Sequence, residues 1–87
     1  MPKYEIFIRG KAARQIKQLP VEYFRLVSQH IDGLAEDPRP PDAKKLKGDL
    51  GYSLRVGVYR ILYDVDDKAQ TVTIYRVKHR REVYRGL

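Results

Sequence analysis

Apolar side chains recur every second position over Lys3–Arg9, where Tyr4, Ile6 and Ile8 interleave with Lys3, Glu5, Phe7 and Arg9. That period predicts a strand, and Gly10 breaks it. The spacing then lengthens. Ala12, Ile16 and Leu19 share one stripe of a short helix over Lys11–Leu19. Pro20 lacks an N–H and fits only the first turn of a second helix, which runs to about Asp37. Phe24, Val27, Ile31 and Leu34 give that helix one buried face. The Leu19-Pro20 junction makes a helical hairpin. Neither helix is stable alone in water, so both must dock on something apolar.

Asp37-Pro-Arg-Pro-Pro41 ends the second helix. A loop follows, carrying Lys44, Lys45 and Lys47 before Gly48. From Gly51 the period returns to two. Tyr52–Val56 alternates Tyr52, Leu54 and Val56 against Ser53 and Arg55. Val58–Val65 alternates Tyr59, Ile61, Tyr63 and Val65 against Val58, Arg60, Leu62 and Asp64. Asp66-Asp67-Lys68 is a turn. Thr71–Lys78, rich in β-branched and aromatic residues, is a third strand of this half, with apolar groups on both faces and its parity open. Arg80–Leu87 is a polar tail or a single helical turn. With no repeat and no long linker, residues 1–87 read as one domain. The expected class is α+β: an N-terminal strand, a helical hairpin, then a three-stranded antiparallel meander, with the helices on one face.

The register of the first hairpin follows from its apolar faces. Tyr52/Leu54/Val56 and Tyr59/Ile61/Tyr63 must point to the same side. A two-residue Gly57-Val58 loop achieves this, with Gly first as a type II′ turn requires. Val56 then faces Tyr59, Leu54 faces Ile61, and Arg55 faces Arg60. Like charges directly opposite on a sheet are unfavourable by about a few tenths of a kcal/mol. Asp64 on the same face would offset this, or a bound phosphate would, since Arg offers planar, forked donors. The plainer alternative is a solvated sheet face whose arginines splay apart.

Charge sharpens the picture. The 87 residues hold eighteen Lys and Arg against eleven Asp and Glu, a net +7. Residues 42–87 carry eleven basic and six acidic side chains, against seven and five in residues 1–41. The C-terminal half is therefore the anion-binding half, suited to a phosphate backbone or an acidic protein. There is no cysteine, which fits a reducing cytoplasm. His30 and His79 stand outside any ligand cluster, so no metal site is expected. The N-terminus carries no long apolar run, and no segment approaches the roughly 20 apolar residues of a membrane span.

Arg76, Lys78, His79, Arg80, Arg81, Tyr84 and Arg85 crowd into ten residues. RNA binding uses cations for phosphates and aromatic rings for unstacked bases. RNA cleavage also needs the 2′-hydroxyl deprotonated, the 5′-oxygen protonated and charge on phosphorus balanced. Histidine is the side chain that exchanges protons most readily near neutrality, which singles out His79. Tyr84 either stacks on a base or packs against the domain. His30 reads as an ordinary helical histidine, and the three loop lysines as solvated or RNA-binding.

Three runs together resemble the RelE branch of the RelE/ParE toxin superfamily. They are Lys44-Lys45-Leu46-Lys47-Gly48, Tyr52-Ser-Leu-Arg-Val-Gly-Val-Tyr-Arg-Ile-Leu-Tyr63, and Tyr75-Arg-Val-Lys-His-Arg-Arg-Glu-Val-Tyr-Arg85. The resemblance implies a toxin that enters the ribosomal A site and cleaves messenger RNA by attack of the 2′-oxygen, without metal or other cofactor. It implies contact with ribosomal RNA, and a cognate antitoxin that wraps the basic surface and carries the pair to operator DNA. By position, Arg60 matches the arginine that stabilises the charged phosphate. Arg55 falls where the best-known member has lysine. His79 and Arg80 match an H-R pair near the reacting phosphate, and Tyr84 a tyrosine that orients the substrate base. Lys44, Lys45, Lys47, Lys78, Arg81 and Arg85 would contact RNA. The best-known member has a second lysine where this chain has Ser53. Arginine does not deprotonate in proteins, so the general base is left open.

Two other readings share this fold. One is a ParE-like inhibitor of DNA gyrase, a binding poison and not a nuclease. The other is a basic module that binds RNA or antitoxin without cutting.

Overall fold

The computed structural model describes residues 3–81. Its elements are β1 (Glu5–Ile8), α1 (Gly10–Lys17), α2 (Val21–Leu34), β2 (Ala43–Lys45), β3 (Tyr52–Val56), β4 (Tyr59–Asp66) and β5 (Thr71–His79). The strands form one sheet in the order β1-β5-β4-β3-β2. β2 through β5 pair antiparallel with their neighbours, and β1 runs parallel to β5. Both helices lie on one face. The expected α+β architecture is borne out, with two additions: β1 closes the sheet beside β5, and β2 extends it beyond β3.

β2 falls where a loop was expected. Its three residues carry no strand pattern, and two of them are lysines. It forms because β3 offers an unpaired edge: Ala43, Lys44 and Lys45 stand opposite Leu54, Ser53 and Tyr52. A short, lysine-bearing strand is also a common way to blunt a sheet edge. α2 stops at Leu34, before Asp37. Asp37 precedes Pro38, and a residue before proline is disfavoured in the helical region. Phe24 departs from the buried stripe. It is 43% exposed and lines a groove with Ile8, Ala13, Ile16 and Ile31, between the helices and β1.

The core lies between the helices and the sheet. Ala12 and Ile16 of α1 and Val27, Ile31 and Leu34 of α2 meet Leu54, Val56, Ile61, Tyr63, Val72, Ile74 and Val77. Burying each of the larger apolar side chains stabilises the fold by about 1.5–3 kcal/mol. Tyr63 is the largest of those fully buried, and its hydroxyl donates to the Pro38 carbonyl at 2.8 Å. Burial pushes this phenol up to about 12 from 10.0. The folded state thus holds the Tyr63 proton more tightly than the unfolded chain. This contribution is fully present below pH 10 and is lost as pH rises towards 12. Alkaline unfolding across that window is expected, followed by circular dichroism. Tyr63→Phe, which has no ionisable hydroxyl, removes this part of the pH dependence.

A polar clasp ties the chain together at the end of the sheet away from the first hairpin. The Arg39 guanidinium donates to both Asp67 oxygens at 3.1 and 2.8 Å and to the Tyr52 hydroxyl at 2.9 Å. Tyr4 donates to Asp67 at 2.8 Å. Arg39 and then Tyr4 hold the Asp67 carboxyl below its ordinary value. Its contribution is present above the ordinary carboxylate value and lost as pH falls through the depressed one. Being exposed, the pair adds little stability.

β5 is not a regular strand. Its register with β4 shifts between Leu62 and Tyr63: Leu62 faces Arg76, Tyr63 faces Ile74, and Tyr75 is the extra residue of a β-bulge. The buried positions of β5 accordingly run Val72, Ile74, then Val77. A step of three where the pleat demands two is why no parity could be assigned from the pattern.

Candidate nucleic-acid interface

The first hairpin forms in the expected register. Val56 pairs with Tyr59, Leu54 with Ile61 and Arg55 with Arg60. Gly57 has φ +61° and Val58 a negative φ, as a type II′ turn requires. Strand alternation sends Leu54, Val56, Ile61 and Tyr63 into the core. It sends Ser53, Arg55, Arg60 and Leu62 to the uncovered face. Tyr23 of α2 meets the Tyr59 ring edge-on at 4.8 Å and packs against Gly57, leaving no room there for a Cβ. The helical layer thus holds the hairpin tip from behind.

Three arginines converge at that tip. Arg55, Arg60 and Arg80 line one cleft of about 240 Å³ with Gly57, Val58 and Tyr59. Arg80 comes from the end of β5, where its N–H donates to the Val58 carbonyl at 2.6 Å and fastens strand to turn. Arg55 Nε donates to the Gly57 carbonyl at 3.3 Å, folding its head back over the turn. Among the described residues the ion pair within 4 Å is Arg39–Asp67, at the other end of the sheet. The expected offset by Asp64 is therefore not made. Asp64 stands opposite Thr73 and lines a different cavity. Among the described residues no carboxylate forms an ion pair with the cluster.

Lys78 stands directly opposite Arg60, and Lys44 opposite Ser53, so both join the uncovered face. Lys45, opposite Tyr52, points to the helical side, and Lys47 lies in the following loop. Ser53 is buried, at 5% exposure.

His79 departs from the expected place beside Arg55 and Arg60. It pairs with Tyr59 and meets that ring edge-on at 5.2 Å, on the helical side. A side chain one position from Lys78 must point away from it, because strand side chains alternate. His79 opens instead on an adjoining cavity lined by Val58, Arg80 and Arg81. Its Nδ1 accepts the Arg81 N–H at 3.1 Å, so the neutral ring carries its hydrogen on Nε2 and is a donor there. Tyr84 and Arg85 lie outside the described residues, as does most of the expected tail or helical turn over Arg80–Leu87. The bulge brings both Tyr75 and Arg76 to the uncovered face; the sequence marks Arg76 only as part of a basic run and gives neither residue a place in the site. The signal was present in the Val72, Ile74, Val77 spacing.

No helix among the described residues is long and apolar enough to cross a membrane. No group of three or more His, Cys, Asp or Glu among them is placed to hold a metal ion.

A helical hairpin on one face of a five-stranded sheet, with an arginine cluster that makes no ion pair among the described residues, is a build shared with toxins of type II toxin–antitoxin pairs. The family described as the ParE toxin of the type II toxin-antitoxin system, parDE, matches residues 6–84. Toxin RelG of Mycobacterium tuberculosis is 35% identical over 85 residues, covering 94% of this chain and 97% of its own. The toxin–antitoxin complex RelBE2 of the same organism aligns with a TM-score of 0.78 at 32% identity, covering 92% of this chain and all of that one. The archaeal RelE–RelB complex from Pyrococcus horikoshii aligns at 0.81 and 28%, covering 90% and 96%. The chain belongs to the RelE/ParE toxin superfamily, and its similarity runs to the RelE branch.

Proposed function

We propose that this chain is the toxin of a type II pair that cuts messenger RNA in the ribosomal A site. The observation that carries this is the arginine cleft: Arg55 opposite Arg60, with Arg80 on the same opening. Three guanidinium groups around one opening suit a phosphodiester whose negative charge grows during cleavage. Attack of the 2′-oxygen on phosphorus breaks the bond to the 5′-oxygen and leaves a cyclic phosphate. Arg55, Arg60 and Arg80 hold the phosphate, and the ribosome supplies orientation, a large source of rate where acids and bases are weak.

Lys78, as its neutral amine, takes the 2′-hydroxyl proton and becomes the ammonium. Arginine cannot release a proton, whereas lysine can, and Lys78 stands opposite Arg60. His79, at the rim of the next cavity, returns a proton to the 5′-oxygen as the imidazolium, giving up the Arg81 contact at Nδ1 to hold its second proton. Tyr84 as a stacking platform, and Lys44, Lys45, Lys47, Arg81 and Arg85 as RNA contacts, rest on charge and family resemblance. An antitoxin partner is supported by the two complexes above; its covering the basic surface and carrying the pair to operator DNA rest on the resemblance. The working place of such a toxin is the cytoplasm.

Lys78→Arg keeps the charge and removes the proton acceptor. Its expected effect is a fall in cleavage rate of about a hundredfold or more, with RNA affinity retained, measured by single-turnover cleavage on programmed ribosomes. A parental rate sinks the role given to Lys78.

The match to the ParE description favours a second reading, gyrase poisoning. Expression without antitoxin separates the two. New 5′ ends inside translated codons by primer extension, with normal supercoiling by purified gyrase, support the nuclease. Blocked supercoiling with intact messages overturns it.

A further inference from the structure

The bulge in β5 breaks the rule that consecutive strand residues face opposite ways. Arg76 faces Leu62 on the uncovered side. Tyr75, the unpaired residue beside it, lines the same cavity of about 630 Å³. A bulge is one of the few ways a strand can re-aim a side chain so that neighbours share a face. The Tyr75 hydroxyl donates to the Leu50 carbonyl, which pins the ring against the loop before β3. Arg9 and Lys11, at the start of α1, supply two more cations. Asp49, Asp64 and Thr73 complete the polar lining.

This cavity lies along the sheet from the arginine cleft. Arg76 is two residues before Lys78 on β5, about 7 Å along the strand, and Lys78 stands opposite Arg60. One nucleotide of an extended single strand covers a comparable distance. The cavity also holds the three kinds of group a nucleotide uses. Arg9, Lys11 and Arg76 suit a phosphate. The half-buried Tyr75 ring offers a face for a base. Asp49 and Asp64 accept hydrogen bonds from base amino groups, as carboxylates do from cytosine N4.

We propose that the Tyr75–Arg76 bulge cavity is a second nucleotide subsite, taking the unit of single-stranded RNA next to the one whose phosphate lies in the arginine cleft. The assignment rests on the nuclease reading for the identity of the strand. The bulge is then a functional element of β5: without the extra residue, Tyr75 and Arg76 would face opposite sides of the sheet.

The test uses 2′-O-methyl oligocytidylate, which carries the N4 amino group and cannot be cut through its 2′-oxygen, as a dinucleotide and as a longer single strand. Tyr75→Leu and Arg76→Gln are each expected to lower the ratio of longer-strand to dinucleotide affinity about tenfold. Tyr75→Phe keeps the ring and retains the ratio. Arg76→Gln also flattens the dependence of log affinity on log salt by about 0.7. A merely destabilised fold lowers both affinities and leaves the ratio unmoved. An unchanged ratio in both Tyr75→Leu and Arg76→Gln overturns the proposal. So does an unchanged ratio accompanied by weaker antitoxin binding, which would assign the cavity to a protein partner. Failure here is distinct from failure of the nuclease reading, which shows instead as messages left intact by the parental chain.

Discussion

Arg60→Ala abolishes growth arrest and lowers messenger cleavage by at least about a hundredfold, the scale seen when one donor to a developing oxyanion is lost. The same substitution leaves stability unchanged or raises it by a few tenths of a kcal/mol. Arg60 faces Arg55 across the strands, and removing one of two like charges relieves repulsion. Its side chain is half-buried, but it makes no ion pair with the described residues. Loss of function with no loss of fold is the mark of a residue retained for its ligand and not for its neighbours. Arg60→Lys should recover part of the activity, because it restores charge without the forked donors. The paired measurements are thermal unfolding and primer extension after expression without antitoxin. A well-folded Arg60→Ala protein that still arrests growth defeats the assignment of the cleft.

Gly51→Ala is expected to destabilise the domain by about 3 kcal/mol or more, lowering the thermal midpoint by roughly 12 °C or beyond at this size. Two causes add. Gly51 has φ +86°, a conformation that alanine adopts only under strain. A Cβ there would also run into the backbone carbonyl of Tyr63 and the carboxylate of Asp64. The Tyr63 backbone cannot yield, because its side chain is fully buried and its strand is paired on both sides. Gly33→Ala is the contrasting case. Gly33 lies in α2 with open space around its Cα, so alanine should stabilise the helix by up to about 1 kcal/mol. Opposite signs from one chemical change isolate the close approach at Gly51 as the cause. A Gly51→Ala midpoint within a few degrees of the parent contradicts the packing described.

Much of the candidate site is legible in the sequence. Period-two alternation over Tyr52–Val56 and Tyr59–Val65, with glycine leading a two-residue loop, is local information. It defines the hairpin register, and the register alone sets Arg55 against Arg60. The helical hairpin is local in the same sense, since Ala12, Ile16, Val27, Ile31 and Leu34 recur at helical spacing and proline separates the two runs.

By itself, the sequence determined the α+β class, the strand and helix order of the main elements, and the facing arginines, because each depends on periodicity and turn chemistry within a few residues. Tertiary structure decided the rest. Whether Ala43–Lys45 becomes a strand depends on the open edge of β3. Which way His79 faces, and that Tyr75 and Arg76 share a side, depends on how β5 slips against β4. Those outcomes arise from pairing between distant segments, where one extra residue reverses the facing of every side chain beyond it.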